Sequence, residues 1–137
     1  MKKENIKNTE FLPMPGIGND YPHPKRFKYV MHHDLNIIKI NGKPCRDEDR
    51  VNALLIEDIE THFDTKNNIR LRVYVRFDQL FSSTIKHLFK LIKLLNKYHQ
   101  QGKDIKIFWS YAENEDMIDI GLDLHPFCQF PFLIKNV

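Results

Sequence analysis

IRLRVYVRFDQLFSSTIKHLFKLIKLLNKYHQQGKDIKIFWSY, residues 69–111, decides the fold of this chain. Over 69–77 the side chains alternate. Ile69, Leu71, Val73, Val75 and Phe77 share one face, and Arg70, Arg72, Tyr74 and Arg76 share the other, the period-two signature of a strand with one buried face. The period then changes. Ile85, Leu88, Phe89, Ile92 and Leu95 recur at helical spacing, with Lys86, Lys90, Lys93 and Lys97 on the opposite ridge, so a helix is predicted over about 83–100. Gly102 is a natural helix stop. Ile105 to Tyr111 reads as a second strand, and Trp109 lies in the apolar phase of Ile105 and Ile107 and is expected to be buried. Strand, helix and strand in this order call for parallel strands and a right-handed crossover.

Working upstream, two short strands are predicted over about 26–33 and 36–41, with Asp34-Leu35-Asn36 as turn material. Gly42 and Pro44 end the second strand. Asp47-Glu48-Asp49 opens a helix over about 48–63, since acidic side chains favour the positive end of the helix dipole. Its expected buried face is Val51, Leu54, Leu55, Ile59 and Phe63. Downstream, a helix is predicted over about 115–124 and a last strand from Phe130 to Ile134. The element order is ββαβαβαβ. It makes an α/β fold with a mixed sheet of about five strands and three helices packed mainly on one face.

Residues 1–24 are polar and punctuated by Pro13, Pro15, Gly16, Gly18, Pro22 and Pro24. They read as a flexible or irregular lead segment, leaving 25–137 as a single domain. Gly16-Ile17-Gly18 follows no expected strand and opens no helix, which excludes a dinucleotide loop. The length of 137 residues suits one domain, and the 42% apolar and 12% aromatic content suits a packed core. A net charge of +3, from 21 basic and 18 acidic residues, does not argue for nucleic acid or membrane as partner. Cys45 and Cys128 fit no CxxC or zinc-ligand spacing and read as reduced thiols. MKKENIKNTE carries lysines with no apolar run after them, unlike a signal peptide, and no stretch approaches the ~20 apolar residues of a membrane span. The expected location is the cytoplasm.

Ser82-Ser83-Thr84, at the strand-to-helix turn, is the main candidate site. A hydroxyl there can cap the helix by accepting a bond from a free backbone N–H, which explains one hydroxyl better than three. The segment can also accept a phosphate, because free N–H groups and the dipole favour added negative charge. It lies beyond the carboxyl end of a strand, where loops of α/β sheets commonly bind ligands. Lys86, nearest the hydroxyls, is a candidate to meet the phosphate or an acidic partner, with Lys90, Lys93 and Lys97 extending the contact. Glu113, Glu115, Asp116, Asp119 and Asp123 match no EF-hand spacing and read as a solvated helix face. His32 and His33, if both lie on a strand, point to opposite faces. His23, His62, His87, His99 and His125 are scattered, so no metal site is expected. No GxSxG, phosphate loop or HExxH is present, and no catalytic residue is assigned.

This element order is that of STAS domains, the fold of the anti-sigma-factor antagonists. Four segments resemble the SiaC family of regulatory phosphoproteins. Asn41-Gly42-Lys43-Pro44 with Asp47-Glu48-Asp49 resembles that family's glycine turn and acidic helix start. Leu80-Phe81-Ser82-Ser83-Thr84-Ile85-Lys86 resembles its hydroxyl-rich segment. Trp109-Ser110-Tyr111 with Glu113, Glu115, Asp116, Met117 and Gly121 resembles its aromatic strand end and acidic third helix. Phe130-Pro131-Phe132 resembles its closing strand. Ser82 stands at the family's threonine position and Phe81 at its asparagine.

The resemblance implies a non-enzymatic bacterial signalling protein of biofilm and c-di-GMP regulation. A protein kinase would phosphorylate the hydroxyl segment and a phosphatase would reverse it. The unmodified form would bind a diguanylate cyclase or similar effector. Ser82 is then the expected acceptor, with Ser83 and Thr84 as alternates. Lys86, Lys90 and Phe81 are expected contacts to phosphate or partner. No cofactor, metal, nucleic acid or membrane is implied. Two alternatives are a STAS-like domain that senses a small molecule or nucleotide and, further off, a basic nucleic-acid-binding module.

Overall fold

The alternating stretch builds the centre of the sheet. The computed structural model describes residues 28–42, 47–80, 82–111 and 115–136. The lead segment 1–24, Cys45, Phe81 and Glu113 lie outside those residues. β1 (Lys28–His32) and β2 (Ile37–Gly42) form an antiparallel hairpin. Its turn closes with Asn36 at φ 60, a left-handed conformation that asparagine tolerates. β3 (Arg70–Phe77), β4 (Asp104–Tyr111) and β5 (Phe132–Asn136) each run parallel to the preceding strand, giving the order β1-β2-β3-β4-β5. Three helices are described: α1 (Glu48–Glu60), α2 (Ser82–Gln100) and α3 (Glu115–Leu124). The expected mixed α/β sheet is the observed one.

Register turns the strand pattern into a layer. Met31, Ile38, Val73, Ile107 and Phe132 lie side by side, one from each strand, and Tyr29, Ile40, Val75, Trp109 and Ile134 form the next row. The buried apolar residues of α1, α2 and α3 join this same face in one continuous core. The three described helices therefore share one side of the sheet. On the other side Tyr74 and Phe108 stack with ring centroids 4.9 Å apart, flanked by Val30 and Ile37. Tyr74 faces away from the helices as the alternation requires, yet it is buried.

Four expectations need correcting. Ile69 is 68% exposed, because pairing begins only at Arg70 opposite Asp104, after a left-handed Asn67. Leu54 is exposed, since the buried stripe of α1 runs Glu48, Asn52, Leu55 and Ile59, steps of four and three that leave 54 to one side. Phe89 is exposed too, because the buried stripe of α2 passes through Leu88, Leu91, Ile92, Leu95 and Tyr98. The last strand starts at Phe132, two residues later than expected. The backbone N–H of Gln129 donates to the Asn96 side-chain oxygen at 2.8 Å, and the Pro131 carbonyl accepts from the N–H of Ile107 at 3.0 Å. Pro131 accepts from β4 but has no N–H to give the ladder, so the strand begins only at Phe132, with Phe130 buried ahead of it.

Trp109 is buried as expected, and its indole N–H donates to the Met117 carbonyl of α3 at 2.7 Å. Gly121 makes room for it. A Cβ there would lie 2.8 Å from the indole ring, well inside van der Waals contact.

Candidate functional site

α1 follows β2 and α2 follows β3, so both helices begin at the carboxyl end of the parallel strands. There Gly42 pairs with Phe77, and the Asp78 N–H donates to the Gly42 carbonyl at 2.9 Å. Gly42 has φ 111, a region that side chains rarely adopt. The two helix starts are joined by side chains. Glu48, in the first turn of α1, is only 5% exposed. Its carboxylate accepts from the Ser83 hydroxyl at 3.1 Å and from the Thr84 hydroxyl. One turn along α2, the His87 ring lies 2.7 Å from the Asp49 carboxylate, and its Nδ1 is buried with no partner among the described residues.

This geometry separates the three hydroxyls. Thr84 is 1% exposed and committed to Glu48. Ser83 reaches solvent, but its hydroxyl is tied to the same carboxylate. Ser82 is exposed. Ser83 and Thr84 donate to a carboxylate across to the neighbouring helix.

At about 100° per residue, Lys86, Phe89 and Lys93 fall within roughly 40° of Ser82 around the α2 axis. All four residues are exposed. Lys90 is exposed as well but lies about 80° from Ser82, so the structure brings Lys86 to the hydroxyl stripe and sets Lys90 beside it. Phe81 is outside the described residues. Beyond the stripe is an apolar groove of about 230 Å³ between α2 and α3, lined by Ile85, Phe89, Ile120, Asp123, Leu124 and Phe127. Phe89 and Phe127 meet edge to face at 4.9 Å across it, and Phe127 is 57% exposed.

Sequence reasoning missed Glu48 as a working residue and missed the groove. The signal for Glu48 was present: it occupies the inward phase of an amphipathic helix, where a carboxylate needs hydrogen-bond donors. The groove carried no comparable signal, because Phe127 lies in a short 3-10 turn, His125–Phe127, that follows α3 directly. Sequence reasoning also placed His33 on a strand. It lies in the β1–β2 turn instead, with its Nδ1 3.1 Å from that of the buried His62. The described residues contain no cluster of three or more potential metal ligands. Cys128 is half-buried, and burial pushes its thiol up to about 12, which removes nucleophilic character near neutral pH.

Fold and site define a class: a mixed sheet with its helices on one side and two helix starts gathered around a hydroxyl run. The particular family follows from the chain itself. Residues 30–137 match the family described as SiaC family regulatory phosphoprotein, and the chain belongs to that family. Two solved structures share the fold. One is SiaC of Pseudomonas aeruginosa, with TM-score 0.75 and 18% identity, covering 85% of this chain and 96% of that one. The other comes from the complex of the diguanylate cyclase SiaD with its activator SiaC from Pseudomonas aeruginosa, with TM-score 0.76 and 20% identity, covering 85% and 98%. An uncharacterised protein of Pseudomonas aeruginosa is 30% identical over 66 residues, 47% of this chain and 52% of that protein. The match spans about half the length of that curated relative.

Proposed function

We propose that this chain is a non-enzymatic switch that binds a signalling partner when unmodified and releases it when Ser82 is phosphorylated. The single observation that carries this reading is the position of Ser82. It is exposed, is not tied to Glu48 as Ser83 and Thr84 are, and shares a stripe of α2 with Lys86, Phe89 and Lys93, beside the apolar groove. A partner seated on that stripe would bury the serine. Apolar contact at Phe89 and Phe127 would supply binding energy, and the lysines would favour an acidic rim on the partner. A diguanylate cyclase is the partner this reading favours, supported by the complex in which SiaC is the activator of SiaD. A protein kinase and a phosphatase would set the state of Ser82. Action in the cytoplasm belongs to the same reading. Among the described residues no helix is long and apolar enough to cross a membrane.

A phosphate at a helix start leaves the fold intact, since the exposed charge–dipole energy is favourable by about 0.3–1 kcal/mol. Within a contact surface the same dianion must be desolvated or expelled. A hundredfold loss of affinity corresponds to about 2.7 kcal/mol, well within that cost. The test is binding to a purified diguanylate cyclase of the same host, measured by calorimetry with wild type, Ser82→Ala and Ser82→Asp, alongside melting curves. Ser82→Ala is expected to bind as the unmodified protein does, and Ser82→Asp to lose at least about a hundredfold at an unchanged melting temperature. Equal affinities for all three folded proteins refute the switch at this position.

A further inference from the structure

Resting on the phospho-acceptor reading above, we infer that Glu48 selects which hydroxyl of the run takes the phosphate. It holds Ser83 and Thr84 as donors and leaves Ser82 as the acceptor. In the transfer, a hydroxyl oxygen attacks the terminal phosphorus of a nucleoside triphosphate. The new O–P bond forms as the bond to the bridging oxygen breaks, the nucleoside diphosphate departs and the hydroxyl proton passes to a base of the kinase. The acceptor oxygen must therefore be reachable, with its proton free to leave outward.

Thr84 fails on both counts, being 1% exposed with its proton directed at Glu48. Ser83 is reachable but its proton is held by the same carboxylate at 3.1 Å. The product reinforces the choice. A phosphate of about −1.5 to −2 charge on Ser83 would press against a carboxylate that is 5% exposed. Among the described residues no Lys or Arg pairs with that carboxylate, so none of them offsets the repulsion. On Ser82 the same group faces solvent, within reach of Lys86 one turn along. Glu48 is thus a positioning residue: it touches neither phosphate donor nor kinase, and acts through the hydroxyls it occupies.

The test installs phosphoserine during translation at position 82, at position 83, and at position 83 together with Glu48→Gln. Phosphopeptides are also mapped from wild type and Glu48→Gln purified from the native host. Phosphate at 82 is expected to leave the melting temperature within ~2 °C of the unmodified protein, and phosphate at 83 to lower it by at least ~5 °C, the scale of a lost clasp in a domain this size. Glu48→Gln is expected to recover at least about half of that drop. In the host, wild type should carry phosphate on Ser82 alone, and Glu48→Gln should carry it on Ser83 as well. Equal melting of the two phosphorylated proteins overturns the inference, as does failure of Glu48→Gln to restore the second. The comparison of 82 with 83 needs no Glu48 variant and decides the matter if Glu48→Gln does not fold. Phosphate on Ser83 or Thr84 in wild type overturns selection by Glu48, and it leaves the switch at Ser82 standing only where Ser82 carries phosphate too. Phosphate on none of the three overturns both.

Discussion

The two ends of α1 each insert a polar side chain into the core, and they do so with opposite results. At its start, Glu48 gathers two hydroxyls of α2 and leaves a third in solvent. At its end, a π-helical turn over Thr61–Thr65 swings the fully buried His62 against the amino end of β3. His62 Nε2 lies 2.7 Å from the Arg70 carbonyl, which can only accept, so that nitrogen carries the proton. Its Nδ1 is left to accept, and the Asn68 amide and the His33 ring both lie 3.1 Å from it. The His62 set is closed on itself: it ties the β1–β2 turn, the π turn and β3 together. The Glu48 set is open. The difference separates a knot closed inside the fold from a clasp that leaves a hydroxyl exposed beside it.

The largest expected effect in this comparison comes from cutting the closed set. His62→Ala removes a ring packed edge to face on Phe63 at 5.0 Å and leaves the Arg70 carbonyl without its donor. A cavity together with an unsatisfied acceptor costs about 2–4 kcal/mol. Melting should show that loss, while calorimetry on the folded fraction should show unchanged affinity for the partner. A parallel loss of affinity would erase the distinction between the two ends.

Gly121→Ala is expected to act next most strongly, and at the other end. Its methyl group would meet the Trp109 ring at 2.8 Å, and overpacking of a rigid site costs about 1–3 kcal/mol. The displaced α3 carries Ile120, Asp123 and Leu124 of the groove. Stability and partner affinity should therefore fall together, in contrast to His62→Ala. A fall in melting temperature with affinity unchanged would remove the groove from the binding surface.

The smallest effect is one of pH. Burial is the main cause that holds the His62 ring below the ordinary histidine value, with His33, Lys103 and Lys66 adding to it against the Arg70 hydrogen bond. Above about pH 6.5 the ring is neutral in folded and unfolded chains alike, and its full contribution is present. Below that value the unfolded chain takes the proton first. Stability is then lost as the pH falls toward the folded value, at no more than about 1.4 kcal/mol per pH unit. Between pH 7 and 5, wild type should lose stability more steeply than His62→Gln in chemical denaturation. Equal slopes would mean that the closed set does not sense protons.

Periodicity alone determined the architecture, because alternation along 70–77 and helical spacing along 82–100 are local properties that the backbone must obey. The parallel crossover, the burial of Trp109 and the span of α3 follow from it. So does the placement of Ser82 at a helix start, since the change of period falls there. Periodicity could not say which of three adjacent hydroxyls are tied to a carboxylate, because that depends on Glu48, which lies 34 residues before Ser82 and meets the run only when α1 and α2 pack side by side. The same holds for Phe89, which shares the helical spacing of the core residues but ends up facing Phe127 across a groove. His33 and His62 are likewise 29 residues apart and become neighbours only through a turn and a π-helical end. Hydrogen-bond partners and exposed margins are pairwise facts of packing, and a one-dimensional pattern carries them only where both partners lie within a few residues of each other.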